Sequence, residues 1–120
     1  MDLDRLRQCR SLLFLPASNP RAIEKAKELD ADLIVLDLED SVPDEDKAAA
    51  RDAAAAASRT GFGGKPMAIR VNPTDSRHYG EDVVAVRRSA FDVVVLAKAE
   101  TAKQVADAAW LMAKPVLAMI

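Results

Sequence analysis

The sequence predicts an α/β protein with a parallel β-sheet, and two observations support that prediction. Short apolar runs alternate with longer helical patterns along the 120 residues, in the order β-α-β-α-β-α-β-α-β. The apolar runs are nearly continuous, which is typical of strands that are buried on both faces of a parallel sheet. Helices between successive parallel strands imply right-handed crossovers.

Five apolar runs are predicted to be strands. Each is short and is bounded by proline, glycine or polar residues, as expected of strands in a small α/β domain. The third run carries Arg70, a charged residue in an otherwise apolar segment. The predicted strands are residues 11–15, 33–38, 67–71, 91–97 and 115–120.

Four helices are predicted between these strands, at residues 20–29, 45–58, 81–89 and 102–112. The first has Pro20 at its first position, where a missing N–H costs nothing, and Ser18 or Asn19 can cap it. Thr101 is predicted to cap the last helix, and Trp110 on that helix is expected to pack against the core.

Composition limits the class of protein. Apolar residues make up 50% of the chain, and 17 basic and 19 acidic side chains are scattered along it for a net charge of −2. Neither nucleic acid nor a membrane surface is therefore an expected partner. The single cysteine, Cys9, fits a reducing compartment, and no apolar run approaches the roughly 20 residues that span a bilayer. We expect a cytoplasmic protein without a signal peptide.

Three acids mark the strongest candidate site. Asp37, Glu39 and Asp40 lie within four residues at the carboxyl end of the second predicted strand. Carboxylates this close repel one another and need a cation, a proton or a basic partner. In open α/β sheets and in (β/α)8 barrels, ligands bind at this end of the strands.

Purely structural interpretations compete with this one. The three acids could cap the following helix and pair with Lys47 or Arg51. Arg70 could neutralise Asp37, because buried charges are paired. Lys98 could pair with Glu100.

Two further polar residues have less specific surroundings. Arg10 precedes the first strand and could contact a phosphate or carboxylate, or could be a solvated flank. His78 lies in a polar segment after the third strand without a partner at metal-ligand spacing, and we expect it to be exposed.

Two architectures share the predicted element order. An open, doubly wound sheet of five strands closes a domain of about this size. A (β/α)8 barrel typically needs about 250 residues, so this chain would supply only part of one. The last predicted strand has no helix after it to cover its outer face, whereas a complete open domain would normally have one. The pattern alone does not choose between the two.

Four motifs follow one another along the chain. They are residues 10–17 (RSLLFLPA), 37–42 (DLEDSV, with a lysine and an arginine on the next helix), 70–72 (RVN) and 96–100 (LAKAE). In this order and spacing they resemble the strand ends of the citrate lyase β-subunit and malyl-CoA lyase family, from Arg10 to Ile120. These are aldolase-type enzymes built on a (β/α)8 barrel. The resemblance implies that residues 1–120 form a single partial barrel domain, with roughly the first four βα units and the fifth strand.

The resemblance also implies a reaction. It is a Mg²⁺-dependent, reversible C–C cleavage of a 3-hydroxyacyl thioester, such as citryl-CoA or malyl-CoA, to an oxo acid and an acyl thioester. The thioester would be carried on CoA or on an acyl-carrier protein. In several family members a neighbouring subunit lends the catalytic acid or base, so a homo-oligomer is expected. Two alternatives stay open: an acyl-CoA thioesterase of the same family, and a non-catalytic half-barrel that binds an oxo acid or assembles with a partner.

Residue roles follow from the motif match. Arg70 is expected to bind the carboxylate of the oxo acid, since its fork binds two oxygens at once. Lys98 and Arg10 are further candidates for substrate binding. Asp37 is expected at the catalytic site as the group that orients Arg70 or Lys98.

The metal is expected to be held mainly outside these residues. Glu39 and Asp40 are expected at the catalytic site as outer-shell groups that hold metal-bound water. The direct ligands in the family are a Glu just after the fifth strand and an Asp further downstream, so they would fall after Ile120. No direct metal ligand is expected among residues 1–120.

Overall fold

The computed structural model, which describes residues 3–120, contains five parallel strands in one sheet. They are β1 (Leu12–Pro16), β2 (Leu33–Asp37), β3 (Met67–Val71), β4 (Val93–Leu96) and β5 (Val116–Ala118). Their order across the sheet is β1-β2-β3-β4-β5, and every neighbouring pair is parallel. A doubly wound sheet reverses its strand order at a switch point, whereas a barrel keeps the order of the sequence. The sheet is therefore of the (β/α)8 barrel type.

Five helices accompany the strands. They are α1 (Leu3–Arg7), α2 (Pro20–Ala26), α3 (Lys47–Thr60), α4 (Tyr79–Arg87) and α5 (Ala102–Met112), and a 3₁₀ turn at Asp44–Asp46 precedes α3. None of the helices in the described part of the chain is long and apolar enough to cross a membrane. The last four helices lie where the sequence predicts helices, and α1 is additional.

Most predicted boundaries differ from the observed ones by one to three residues. β3 has the predicted bounds, and α5 begins after its predicted cap, Thr101. α2 ends at Ala26 rather than at residue 29, because the N–H of Lys27 already bonds within the last turn, to Glu24 and Lys25. The prediction for Trp110 is wrong: this side chain is 81% exposed.

Alternation along the strands divides the sheet into two faces. The outer face packs against the helices and forms the larger core, which includes Ile34, Leu36 and Ile69. The inner face is a smaller apolar cluster, against which Leu6, Cys9 and Leu117 pack; its members are Leu33, Val35, Ala68, Val93 and Val95. Because side chains repeat every second residue, Asp37 continues the inner face of β2 and Arg70 that of β3.

A capping box fixes the amino end of α5. The side chain of Thr101 accepts a hydrogen bond from the N–H of Gln104 at 3.1 Å, and the Gln104 side chain accepts from the N–H of Thr101 at 3.2 Å. Two N–H groups that the helix cannot pair internally are thus satisfied.

We expect the Thr101→Ala variant to lose about 1 kcal/mol of unfolding free energy, because the N–H of Gln104 loses its acceptor. Urea unfolding followed by circular dichroism measures the change. Thr60→Ala is the matched control, since the Thr60 hydroxyl only bonds back to the Ala56 carbonyl within α3. Equal stability of the two variants would contradict the capping role.

Candidate active site

The candidate site lies at the carboxyl ends of β2, β3 and β4. Asp37 ends β2 and stands in register with Arg70 of β3, while Lys98 follows β4 by two residues. Glu39 and Asp40 lie in the turn after β2. Six side chains have a predicted role in the site, and the structure brings five of them together; the sixth, Arg10, lies elsewhere.

Arg70 and Asp37 form a two-point ion pair. Arg70 Nε lies 2.7 Å from Asp37 Oδ1, and Arg70 Nη2 lies 2.7 Å from Asp37 Oδ2. The Asp37 side chain is 1% exposed and that of Arg70 is 14% exposed. The Phe14 ring covers the guanidinium, with Cζ 5.1 Å from the ring centroid. The guanidinium is thus held along one edge and across one face.

Further donors occupy the Asp37 carboxylate. It accepts hydrogen bonds from the N–H of Glu39 at 2.8 Å, the N–H of Ser41 at 3.0 Å and the Ser41 hydroxyl at 2.6 Å. Burial by itself raises the pKa of Asp37, but the hydrogen bonds from Arg70, Ser41 and the backbone outweigh it and lower the pKa to about 2. Both carboxylate oxygens are occupied by donors and face Arg70 at two points, so the geometry suits Asp37 to orienting Arg70.

Arg70 keeps donors that Asp37 does not use. A guanidinium has five N–H groups, and Asp37 takes two of them. Within residues 3–120, Nη1 contacts the Met119 sulfur at 3.7 Å, which is a weak acceptor. The edge between Nη1 and Nη2 therefore offers a second two-point site, of the shape that a carboxylate fits.

Lys98 joins the two acids of the turn. Its ammonium donates to Glu39 Oε2 and, at 3.2 Å, to Asp40 Oδ1. These hydrogen bonds raise the pKa of Lys98, while the Glu39 carboxyl and the Lys98 ammonium lower the pKa of Asp40. The Lys98 backbone is left-handed, with φ of 51°, which costs energy in a residue with a side chain. The Lys98 ammonium therefore pairs with Glu39 and Asp40, and the interpretation that it pairs with Glu100 is wrong.

The basic residues of α3 do not pair with these acids. Lys47 Nζ donates to the backbone carbonyls of Leu38 at 2.7 Å and Glu39 at 2.9 Å. Arg51 Nε donates to Asp82 Oδ1 at 2.8 Å. The interpretation that Lys47 or Arg51 neutralises the acids after β2 is therefore wrong.

Arg10 lies away from the other candidates. It precedes the amino end of β1, at the opposite edge of the sheet, where its N–H donates to Asp32 Oδ2 at 2.8 Å. This placement gives no support to the predicted substrate-binding role of Arg10.

Two polar residues near the site are used differently from the sequence expectation. The His78 ring, expected to be exposed, lies 3.2 Å from Arg51 Nη2 through Nδ1 and 3.1 Å from Asp44 Oδ1 through Nε2. Asp82 carries no signal in the sequence, although it is completely buried and bonded to Asn72. Asn72 itself belongs to the 70–72 motif, which was the one available indication.

Carboxylate oxygens suit a hard cation such as Mg²⁺. Glu39 and Asp40 offer such oxygens, one buried and one 71% exposed, and Lys98 bridges them. Within residues 3–120, no cluster of three or more His, Cys, Asp or Glu side chains is arranged to hold a metal ion. Two carboxylates bridged by an ammonium are what the described residues contribute at this edge of the sheet.

Comparison with known proteins places these features in a family. The model of the HpcH/HpaI aldolase/citrate lyase family matches residues 10–118. The (3S)-malyl-CoA thioesterase of Cereibacter sphaeroides is 36% identical in an alignment 120 residues long that covers 92% of this chain and 42% of that protein.

Solved structures agree with this match. The citrate lyase β subunit from Mycobacterium tuberculosis, complexed with oxaloacetate and magnesium, superposes with a TM-score of 0.81 at 33% identity, covering 97% of this chain and 49% of that one. CitE from the same organism, complexed with magnesium, acetoacetate and coenzyme A, gives 0.79 at 33% identity, covering 95% and 40%. The chain spans about half the length of these proteins, or less. The chain belongs to the HpcH/HpaI aldolase/citrate lyase family.

Proposed function

We propose that this site serves a Mg²⁺-dependent, aldolase-type lyase that cleaves a C–C bond of a 3-hydroxyacyl thioester and releases an oxo acid. The observation that carries the proposal is the Arg70 guanidinium, which Asp37 fixes while the edge between Nη1 and Nη2 remains for a second carboxylate. Similarity to a citrate lyase β subunit complexed with oxaloacetate and magnesium supports it.

In this proposal Arg70 binds the carboxylate of the oxo-acid half of the substrate. Its planar fork matches a planar carboxylate at two points, which fixes orientation as well as adding binding energy. Asp37 keeps the fork from rotating, and Phe14 covers one of its faces. The oxo acid is thereby held with its reactive carbon at the rim of the sheet.

Glu39 and Asp40 are proposed to hold the water shell of the metal. Magnesium, when bound, would act as a Lewis acid on the hydroxyl or oxo oxygen of the substrate. Lys98 keeps the two carboxylates together and offsets their mutual repulsion. Both oxygens of Asp37 already accept hydrogen bonds from Arg70, Ser41 and the Glu39 N–H, so Asp37 is not placed to take the hydroxyl proton. We assign that proton to a base lent by a neighbouring subunit of a homo-oligomer. A cytoplasmic location completes the proposal.

A thioesterase is the second candidate, and the relative named (3S)-malyl-CoA thioesterase favours it. Both reactions need the thioester near the metal and the acid end of the substrate near Arg70. They differ in the bond that breaks: the lyase breaks a C–C bond, whereas the thioesterase adds water to the thioester carbonyl. A non-catalytic module would bind the oxo acid and break neither bond.

Product analysis distinguishes the three. The native full-length polypeptide is incubated with Mg²⁺ and either malyl-CoA or citryl-CoA, and the products are separated by chromatography, with EDTA as the control. Acetyl-CoA together with glyoxylate or oxaloacetate is the result we expect, and EDTA abolishes it. Free CoA together with an intact hydroxy acid would contradict the lyase and support the thioesterase. If calorimetry shows that an oxo acid binds but neither acetyl-CoA nor free CoA is formed, the protein is a non-catalytic binding module.

A further inference from the structure

We infer that Asp82 of α4 is a positioning residue for the candidate site, acting through Asn72 on the turn that carries Glu39 and Asp40. Asp82 itself contacts neither of these acids. The inference rests on the proposed function, because the site is where its effect is measured.

Asp82 is a completely buried carboxylate, and both of its oxygens accept hydrogen bonds from other residues. Its Oδ1 accepts from Arg51 Nε at 2.8 Å. Its Oδ2 accepts twice from Asn72, from the backbone N–H at 2.8 Å and from the side-chain amide at 2.7 Å. A buried charge this well paired is retained at a fixed position, because moving it would leave Arg51 unneutralised.

Asn72 passes this position on to the turn after β2. Its amide nitrogen donates to Asp82 Oδ2 and also to the Leu38 carbonyl at 3.0 Å. An amide NH₂ has two protons, so these two acceptors use both of them. The Asn72 side chain therefore links the Leu38 carbonyl to Asp82 of α4 and fixes the position of that carbonyl.

Lys47 holds the same peptide from a second direction. Its buried ammonium donates to the Leu38 carbonyl at 2.7 Å and to the Glu39 carbonyl at 2.9 Å. On the other side, the N–H of Glu39 donates to Asp37. The backbone of Leu38 and Glu39 is thus fixed on both sides, and this places the Glu39 carboxylate against Lys98 and 3.8 Å from Arg70 Nε.

The network needs a carboxylate at position 82. Oδ1 must accept from a guanidinium and Oδ2 must accept from two N–H groups of Asn72. In Asp82→Asn one of these acceptors becomes an NH₂ group that faces a donor, so a bond is lost at whichever side receives it. The role of Asp82 is therefore to accept these hydrogen bonds, and packing volume alone does not explain a carboxylate at this position.

The test compares Asn72→Ala and Asp82→Asn with the wild type in the full-length protein. Pyruvate is the oxo-acid probe, and calorimetry at a series of Mg²⁺ concentrations gives the concentration at which its binding is half-maximal. We expect both variants to need at least tenfold more Mg²⁺, because Glu39 and Asp40 are displaced. Glu81→Gln is the matched control, since Glu81 is the exposed neighbour of Asp82 on α4, and it should behave as wild type.

Asn72→Ala keeps the Arg51–Asp82 pair and so decides the question if Asp82→Asn does not fold. A folded Asn72→Ala protein with wild-type Mg²⁺ dependence would overturn the inference. Amide hydrogen exchange at Glu39 and Ser41 provides a readout that needs no ligand: faster exchange in Asn72→Ala supports the inference, and unchanged exchange opposes it. A wild type that binds no pyruvate would contradict the proposed function instead, and the exchange rates would still decide the role of Asn72.

Discussion

Replacing Arg70 with lysine is expected to weaken oxo-acid binding about 100-fold. Lysine keeps the positive charge and a partner for Asp37, but it loses the planar edge between Nη1 and Nη2. A hydrogen bond to a charged group contributes about 1.5–3 kcal/mol, and about 2.7 kcal/mol corresponds to a 100-fold change in affinity. Calorimetric titration with pyruvate at saturating Mg²⁺ measures the effect.

Arg77→Lys is the matched control. Arg77 is exposed and pairs with Asp44 beside the site, so its replacement should change pyruvate binding less than twofold. Lysine is also a sharper probe than alanine at position 70, because Arg70→Ala would leave Asp37 buried without its cation and lower stability as well. A change in the Arg70→Lys protein no larger than in the control would remove Arg70 from substrate binding.

Replacing Asp37 with asparagine is expected to lower the free energy of unfolding by about 3 kcal/mol at pH 7, since it breaks a buried ion pair from one side. Part of this loss depends on pH. Folding lowers the pKa of Asp37 from 3.8 to about 2, which corresponds to about 2 kcal/mol of stability. Because the folded pKa is the lower one, this stability is present above about pH 4 and is lost as the pH falls through 2.

Urea unfolding at pH 7, 4 and 2.5 measures both parts. The difference between wild type and Asp37→Asn should shrink as the pH falls, because protonation removes the same charge that the substitution removes. Asp52→Asn, at an exposed position of α3, should change stability by less than about 0.5 kcal/mol. A difference that stays constant from pH 7 to 2.5 would contradict the assigned role of the Asp37 carboxylate.

The sequence predicts the type of the long elements because their periodicity is strong. β3 is predicted at its observed bounds, since proline precedes it and a polar segment follows. The helix Leu3–Arg7 is missed, because five mostly charged residues carry no readable period and such a helix depends on its tertiary contacts. Strand order is likewise absent from the pattern: the barrel and the doubly wound sheet share one succession of elements, and only pairing in space separates them.

The candidate site is predictable where charge follows an apolar run. Asp37, Glu39 and Asp40 meet that condition, and parallel strands bring them to the edge where Arg70 and Lys98 lie. Asp82 does not meet it, since it is one acid among several charged residues and its burial depends on how α4 packs. Trp110 is misjudged for the same reason, because helical spacing gives the period of a helix but not how much of its circumference is covered.

Each strand of the sheet pairs with the strand that precedes it in the chain, and this favours folding during synthesis. Ile34 lies beside Met67, and Ala68 beside Val93, so each ladder joins residues one βα unit apart. Pairing between consecutive strands closes shorter loops than pairing between distant strands would, which costs less chain entropy. As the ribosome releases the polypeptide from its amino end, each new strand finds the strand with which it pairs already synthesised. The sheet can therefore grow by one unit at a time, without waiting for distant sequence to be translated.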